Sequence, residues 1–392
     1  MLTNRWLFIV IVFLIRTTFS FQFQAVGSVS SFLRDDLLIS HAQVGTLIGI
    51  YMLPGVAIAL PGGFFIKYFG DRRMAGYGLS LMVVGGIVFG LSDTYALAIA
   101  GRLVSGIGAV LINVAMTKIV TDRFAGREIR TALAIMVSSW PFGIALGLVG
   151  QGAMADALSW QAVMFLTSAI SAVGLAALLL MVRVPQATTA PVASARLLSL
   201  SRPELVLASL AGLAWAAYNV GFVMFVSFGP DALVARGIAR VDSDALVSIG
   251  VWVTMFSIPL GGYLAEKIGR PQITIMMFAS LLAVTIGVFP YLAIPAILSM
   301  LFGAMIGPPT GPLVALPSDG LRPENRGPGL GVYYTWYYAA MAIGPAVAGA
   351  GRNITGSAST PLFIGAGLFA STVLFVVLFQ LFAARHRNIV QS

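Results

Sequence analysis

The strongest constraint in this sequence is a rhythm. About twenty apolar residues run together, a charged or Pro/Gly-rich break follows, and the pattern repeats to the end of the chain. Stretches such as "WLFIVIVFLI" and "LFIGAGLFASTVLFVVLF" are continuously apolar and do not alternate at period two, which argues against a lipid-embedded β-barrel. In hydrocarbon such a stretch satisfies its backbone only as a helix. The composition agrees: 58% hydrophobic, 9% charged, mean hydropathy +0.94 over 392 residues. A soluble domain could not hide that much apolar side chain, so the fold class is an all-α membrane protein. The first run continues into "RTTFSFQFQAVGSVSSFL" with no small-residue cleavage site and is expected to stay as a first helix.

The breaks define twelve expected spans: 5–33, 42–66, 73–92, 95–118, 131–152, 160–182, 204–229, 244–264, 271–289, 291–316, 328–350 and 361–384. The longest polar segment, "RVPQATTAPVASARLLSLSRPE", divides six from six. It gives an N-terminal bundle 1–183, a linker 184–203 and a C-terminal bundle 204–392. With the N-terminus inside, 17 of the 23 Lys+Arg are cytoplasmic, whereas Arg34, Arg236, Arg240 and Arg352 are outside and Arg16 and Arg102 lie within spans. That asymmetry places both termini in the cytoplasm.

Several function classes fall away. There is no cysteine, so neither thiol chemistry nor a cysteine-ligated metal is available. The two histidines, His41 and His386, lie outside the apolar runs, so no metal or cofactor is expected. The net charge of +9 serves topology rather than nucleic acid. No phosphate-cradling Gly-rich loop ending in Lys-Ser/Thr appears, which argues against an ATP-driven pump and against an enzyme.

The two halves repeat each other. "PGGFFIKYFGDRR" at 61–73 returns as "LGGYLAEKIGRPQ" at 260–272, and "TDRFAGREIRTALAI" before span 5 returns as "SDGLRPENRGPGLGV" before span 11. With these motifs, and with R-x-x-x-G-x-G in span 4 (Arg102, Gly106, Gly108), the chain resembles the major facilitator superfamily over its whole length. The resemblance implies two pseudo-symmetric six-helix bundles. Spans 1, 4, 7 and 10 would line a central cavity, spans 2, 5, 8 and 11 would flank it, and spans 3, 6, 9 and 12 would face lipid. It also implies a monomer in the bacterial inner (plasma) membrane, with a small-molecule substrate and the bilayer as its only partners.

Arg16 is the sharpest signal within a span. It lies ten residues past Trp6, roughly 15 Å deep at 1.5 Å per residue. A guanidinium there costs at least ~2.5 kcal/mol on insertion scales. All 14 acids fall in loops or at span ends, so no carboxylate is expected to neutralise it. Two readings stand side by side: Arg16 binds an anionic substrate, or it hydrogen-bonds helix carbonyls. Ser20 lies one turn on, and the repeat sets Trp215 and Asn219 opposite Arg16 and Ser20. Asn113, Ser139, Trp140 and Trp252 complete the polar and aromatic candidates, with the run "VYYTWYYAAMAIGP" in span 11. There Tyr333 shares a face with Tyr337, and Tyr334 with Tyr338; the sequence does not choose between the pairs.

The charged turns read as gates. The first copy comprises Gly63, Lys67, Gly70, Asp71 and Arg72; the second comprises Gly262, Glu266, Gly269 and Arg270. Lys67 stands where the family has an acid, and Lys67 and Asp71 are spaced to pair at i, i+4. Asp122, Arg123, Arg127 and Arg130 supply the facing charges, so the inner gate is expected to rest more on Glu266 than on Lys67. Arg102 and Gly106 read as structural or gating. The expected function is secondary or facilitative transport of a small anionic solute by alternating access. An efflux transporter of amphipathic or uncharged compounds is the alternative.

Overall fold

The computed structural model describes residues 5–58, 70–124, 128–181, 200–322 and 325–391, and every regular element in them is helical. Among these residues, 11 helical segments are long and apolar enough to cross a membrane. The one expected span that is not among them, span 11, is the helix Arg326–Thr355, 30 residues long, whose tyrosine run and terminal arginines dilute its apolarity. Most of the linker 184–203 lies outside the described residues.

Where the helices depart from twelve uninterrupted rods, the backbone gives the reason. Span 1 runs Arg5–Ser28, and a short helix Ser30–Leu37 follows, stopped at Leu38 in the left-handed region with φ 51°. Span 2 opens on a Ser40/Gln43 capping box and breaks after Ile50, because Pro54 has no N–H for the Ile50 carbonyl. Span 5 breaks between Ile129–Val137 and Ser139–Ala157, where Pro141 likewise has no N–H for the Val137 carbonyl. Span 7 is longer than expected, Arg202–Val234, since the Ser201/Glu204 capping box starts it early and it passes through Pro230.

Enclosure follows the expected ring order except at span 8 and at span 3, which is 50% buried against 44% for span 2 although the order has it facing lipid. In the most apolar stretches of spans 1 and 7, 72% and 67% of residues are buried, against 39%, 33% and 33% for spans 6, 9 and 12. Span 8 is also largely outward at 33%. The two halves meet where span 2 packs on span 11 and span 5 on span 8. Along the first seam Gly45 and Gly49 lie on the carbonyls of Pro345 and Ala342, and Gly349 lies on that of His41. A side chain at any of the three would strike backbone, so small residues set this approach.

Hydrogen bonds seal the end of the bundle away from the termini. Arg240, at the start of span 8, donates to the Gly27 carbonyl at 2.9 Å and the Ser28 carbonyl at 3.3 Å, across the halves. Its other nitrogens hold Asp231 at 2.6 Å and Asp244 at 3.2 Å, and Asp231 also pairs with Arg352. The His41 backbone N–H donates to Asn353 at 3.2 Å. Near the termini, the ion pairs Arg5–Glu128, Lys118–Asp71, Lys118–Asp122 and Arg322–Glu204 each stay within one half.

Two of those pairs show the repeat in structure. In the first half the start of span 1, Arg5, holds Glu128 before span 5. In the second half the start of span 7, Glu204, holds Arg322 and Asn325 before span 11. The clamp is the same, and its charge polarity is reversed.

Candidate functional site

Span 1 carries Arg16 into the centre of the first half, where the side chain is only 8% exposed. Its Nε and Nη2 converge on the Asn113 side-chain oxygen of span 4, at 3.2 and 2.9 Å. Its Nη1 donates to the Ser139 hydroxyl at 2.7 Å and to the Met136 carbonyl at 3.0 Å, both at the break in span 5. The break in span 5 thus brings a carbonyl and a hydroxyl together at the guanidinium. Every one of these partners is neutral. The four bonds occupy Nε, both hydrogens of Nη1 and one of Nη2, leaving one Nη2 hydrogen without a partner among the described residues.

From Asn113 the site continues into the second half. The Asn113 amide nitrogen donates to the Tyr338 hydroxyl at 3.4 Å. The Tyr338 ring lies 5.0 Å from Tyr337, which lies 6.2 Å from Trp215 of span 7. Trp215 also stacks on Tyr333 and Tyr218, and Tyr334 stands edge-on to Tyr333 at 5.0 Å. Tyr334, Tyr337 and Tyr338 are all close enough to feel the Arg16 charge. The repeat explains the asymmetry. Arg16 with Met136 in one half corresponds to Trp215 with Tyr333 in the other, at offsets of 199 and 197, so one half presents a charge and the other an aromatic wall.

The remaining candidates sit around this core. Ser20 is fully buried and its hydroxyl donates to the Ser139 and Thr17 carbonyls, against Gly143, so it ties span 1 to span 5. Trp140 packs on Phe19 and Phe23. Asn219 donates back to the Trp215 carbonyl at 2.8 Å. Trp252 meets Phe142 edge-on at 5.6 Å, across the seam of spans 5 and 8. Tyr333 is buried, with its hydroxyl on the Leu313 carbonyl at 3.2 Å. Both tyrosine faces are thus engaged, one toward Arg16 and one toward Trp215.

The gating candidates divide. Gly63, Lys67 and Arg127 lie outside the described residues, and Arg130 and Glu266 are placed only as positions on helices. Asp71 is buried, and its carboxylate is held by Lys118 at 2.8 Å, which also holds Asp122. The cation that holds Asp71 among the described residues thus comes from the neighbouring span 4, and the expected i, i+4 pairing with Lys67 falls outside the described residues. Arg72 donates to the Leu179 carbonyl, and Arg123 lies over the Phe8 ring at 5.4 Å. Gly70 and Gly269 take positive φ of 78° and 66°, the turns that only glycine makes freely, while Gly262 has open space around it and Arg270 precedes span 9. Gly106 lies against the Tyr51 carbonyl. Arg102, 1% exposed, donates to three carbonyls of spans 1 and 2 and lies over the Tyr51 ring.

Sequence reasoning missed Tyr338 as a contact, and Arg240, Asp231 and Asp244 as a buried cluster. Tyr338 was legible only as half of an undecided pair. The i, i+4 spacing of Arg240 and Asp244 was the available signal for the second.

Comparison with known proteins bears on all of this. The chain is 31% identical over 134 residues to "MFS-type transporter TwmF" of Talaromyces wortmannii, covering 34% of this chain and 24% of that one. It is 28% identical over 174 residues to "Quinolone resistance protein NorB" of Staphylococcus aureus, covering 44% and 37%. The matches thus span about a quarter and about a third of these relatives' lengths. Among solved structures, the crystal structure of a D-xylose–proton symporter superposes with TM-score 0.77 at 16% identity, over 95% of this chain and 97% of that one. A bacterial homologue of the human lysosomal transporter Spinster, in an inward-facing and occupied conformation, gives TM-score 0.71 at 15% identity, over 98% and 97%. The profile of the Major Facilitator Superfamily matches residues 12–345, and with the helical architecture and the repeat described above, this chain belongs to that family of membrane transporters.

Proposed function

We propose that the protein transports a small anionic solute by alternating access, with Arg16 supplying the attraction. The observation that carries this reading is the set of neutral partners around Arg16: Asn113, Ser139 and the Met136 carbonyl hold its geometry, and among the described residues no carboxylate pairs with its charge. A buried guanidinium without a counter-charge sets up a positive potential in a low-dielectric site, and an entering anion would supply the missing charge. The free Nη2 hydrogen and the tyrosine hydroxyls give such an anion its donors. The wall of Trp215, Tyr333 and Tyr337 favours an anion with an apolar or planar body, a carboxylate rather than a bare inorganic ion. With the termini cytoplasmic, as the charge asymmetry requires, the end sealed by Arg240 is the extracellular one and the state is inward-facing.

A second reading is efflux of amphipathic or uncharged compounds. The same aromatic wall supports it, as does the likeness to a quinolone resistance protein. Uptake into proteoliposomes over a panel of carboxylates, inorganic anions and neutral solutes separates the two. Under the anion reading Arg16→Ala abolishes transport, and Arg16→Lys keeps attraction but loses the paired hold on Asn113. Normal anion transport by Arg16→Ala would remove the first reading's support.

A further inference from the structure

The tyrosines inside the bundles fall into two groups by where their hydroxyl protons go. Those of Tyr51, Tyr218 and Tyr333 each donate to a backbone carbonyl, of Phe19, Ile306 and Leu313. Tyr334, Tyr337 and Tyr338 of span 11 have no such acceptor among the described residues. For Tyr338 the far side of its one contact fixes the direction. The Asn113 oxygen faces Arg16 Nε and Nη2, so the amide nitrogen is what meets Tyr338, and the Tyr338 oxygen accepts. Its own proton is still to be given.

These three side chains lie around Arg16. Tyr338 reaches it through Asn113, the Tyr337 ring lies 5.0 Å from Tyr338 and 6.3 Å from Tyr334, and all three feel the guanidinium charge. With the remaining Nη2 hydrogen of Arg16 and the second amide hydrogen of Asn113, the surplus here is one of donors. Positions 334 to 338 spread the hydroxyls over about 6 Å of helix axis at 1.5 Å per residue, further than one carboxylate group reaches. A carboxylate on Arg16 therefore satisfies part of the set, and an oxygen elsewhere on the ligand is needed for the rest. An ammonium gains little from the phenol oxygens, because it would stand as a like charge beside a buried guanidinium.

We propose that Tyr334, Tyr337 and Tyr338 are specificity-determining residues that select a monoanion bearing a second, uncharged acceptor oxygen, as a 2-oxo acid does, and that exclude amino acids. The inference rests on the anionic reading above and narrows its substrate class. Arg16 supplies the attraction for the charge, and the span 11 hydroxyls read what stands beside it. A site that hydrogen-bonds a ligand oxygen discriminates strongly against the analogue lacking it, because its own donors are then left unpaired in a dry pocket. Replacing these tyrosines by phenylalanine removes the hydroxyls and keeps the rings that pack on one another and on Trp215.

Equilibrium binding to the purified protein tests this with two matched series: propionate, pyruvate and alanine, and phenylacetate, phenylglyoxylate and phenylglycine. In at least one series the oxo acid is expected to bind about tenfold more tightly than its plain acid, the worth of one well-placed hydrogen bond, and the amino acid not to bind. In the doubly substituted Tyr337→Phe, Tyr338→Phe protein that advantage shrinks to about twofold or less. Tyr51→Phe, whose proton belongs to the Phe19 carbonyl, keeps it in full. A keto group also makes its neighbouring carboxylate a weaker base, but an advantage arising that way would survive loss of the hydroxyls. Oxo acids that bind no more tightly than the plain acids in either series overturn the proposal. So does an advantage undiminished in the double variant. Arg16→Ala separates these failures from failure of the anionic reading: it loses oxo and plain acids alike where that reading holds, and binds them normally where the reading falls and this proposal with it.

Discussion

Arg16 and Arg102 are both buried guanidiniums in the first half, and their surroundings give them different work. Arg102 spends its donors on the carbonyls of Leu47, Gln22 and Phe23 at 2.8 to 2.9 Å, with its face on Tyr51 at 4.3 Å. It closes the joint between spans 1, 2 and 4. Arg102→Met leaves three carbonyls unpaired, and a loss of ~3–5 kcal/mol is expected, as for other broken buried charge networks. Denaturant unfolding in detergent measures it, and Arg102→Lys should recover only part, since an ammonium cannot span all three. For Arg16 the informative change is Asn113→Asp, which sets a carboxylate on Nε and Nη2 and supplies the counter-charge from within. Anion affinity should fall by more than tenfold, about 1.4 kcal/mol or more, in an equilibrium binding measurement. Unchanged binding of a neutral solute in the same variant would mark the effect as electrostatic.

At the scale of helices, glycine positions with the same apparent role separate into two kinds. Gly106 packs on Tyr51 inside the first half, whereas Gly49 packs on Ala342 across the halves. Overpacking costs ~1–3 kcal/mol in either place, but different equilibria bear it. Gly106→Val is expected to lower the unfolding midpoint of the protein. Gly49→Val should instead shift the balance toward the state open at the far end and speed labelling of a thiol in that seam, with unfolding less affected. Equal loss of stability in both variants would contradict this division. The sequence marks both glycines alike, because helix spacing says that a residue faces a neighbour and not which one.

Across the whole molecule, one end is sealed by bonds between the halves while the named ion pairs near the termini stay within halves. Alternating access requires that seal to break once per cycle. A disulfide between His41→Cys and Asn353→Cys, whose backbone and side chain now meet at 3.2 Å, is expected to stop exchange of solute across the bilayer. Solute binding from the other side should persist, and reduction should restore transport. Continued exchange by the cross-linked protein would mean that this seam does not open during the cycle. The chain belongs to the Major Facilitator Superfamily, and under the proposed transport reading this test addresses the cycle as a whole.

Local chemistry was sufficient for much of this. Length and apolarity determined the spans and the repeat, proline positions determined where spans 2 and 5 break, and the cost of a midplane charge singled out Arg16. Those features depend on a segment and its solvent, both of which can be read in one dimension. Only the tertiary structure decided that Asn113, Ser139 and the Met136 carbonyl hold Arg16, that Tyr338 bridges to the aromatic wall, and that Lys118 of span 4 holds Asp71. Asp244 shows the limit most clearly: by sequence it is an acid at a span end, and by structure it is 1% exposed with one oxygen unpaired. Its burial comes from Gly152 and Ser28 on the other half, and contacts between residues so far apart in the chain are set by how the bundles pack.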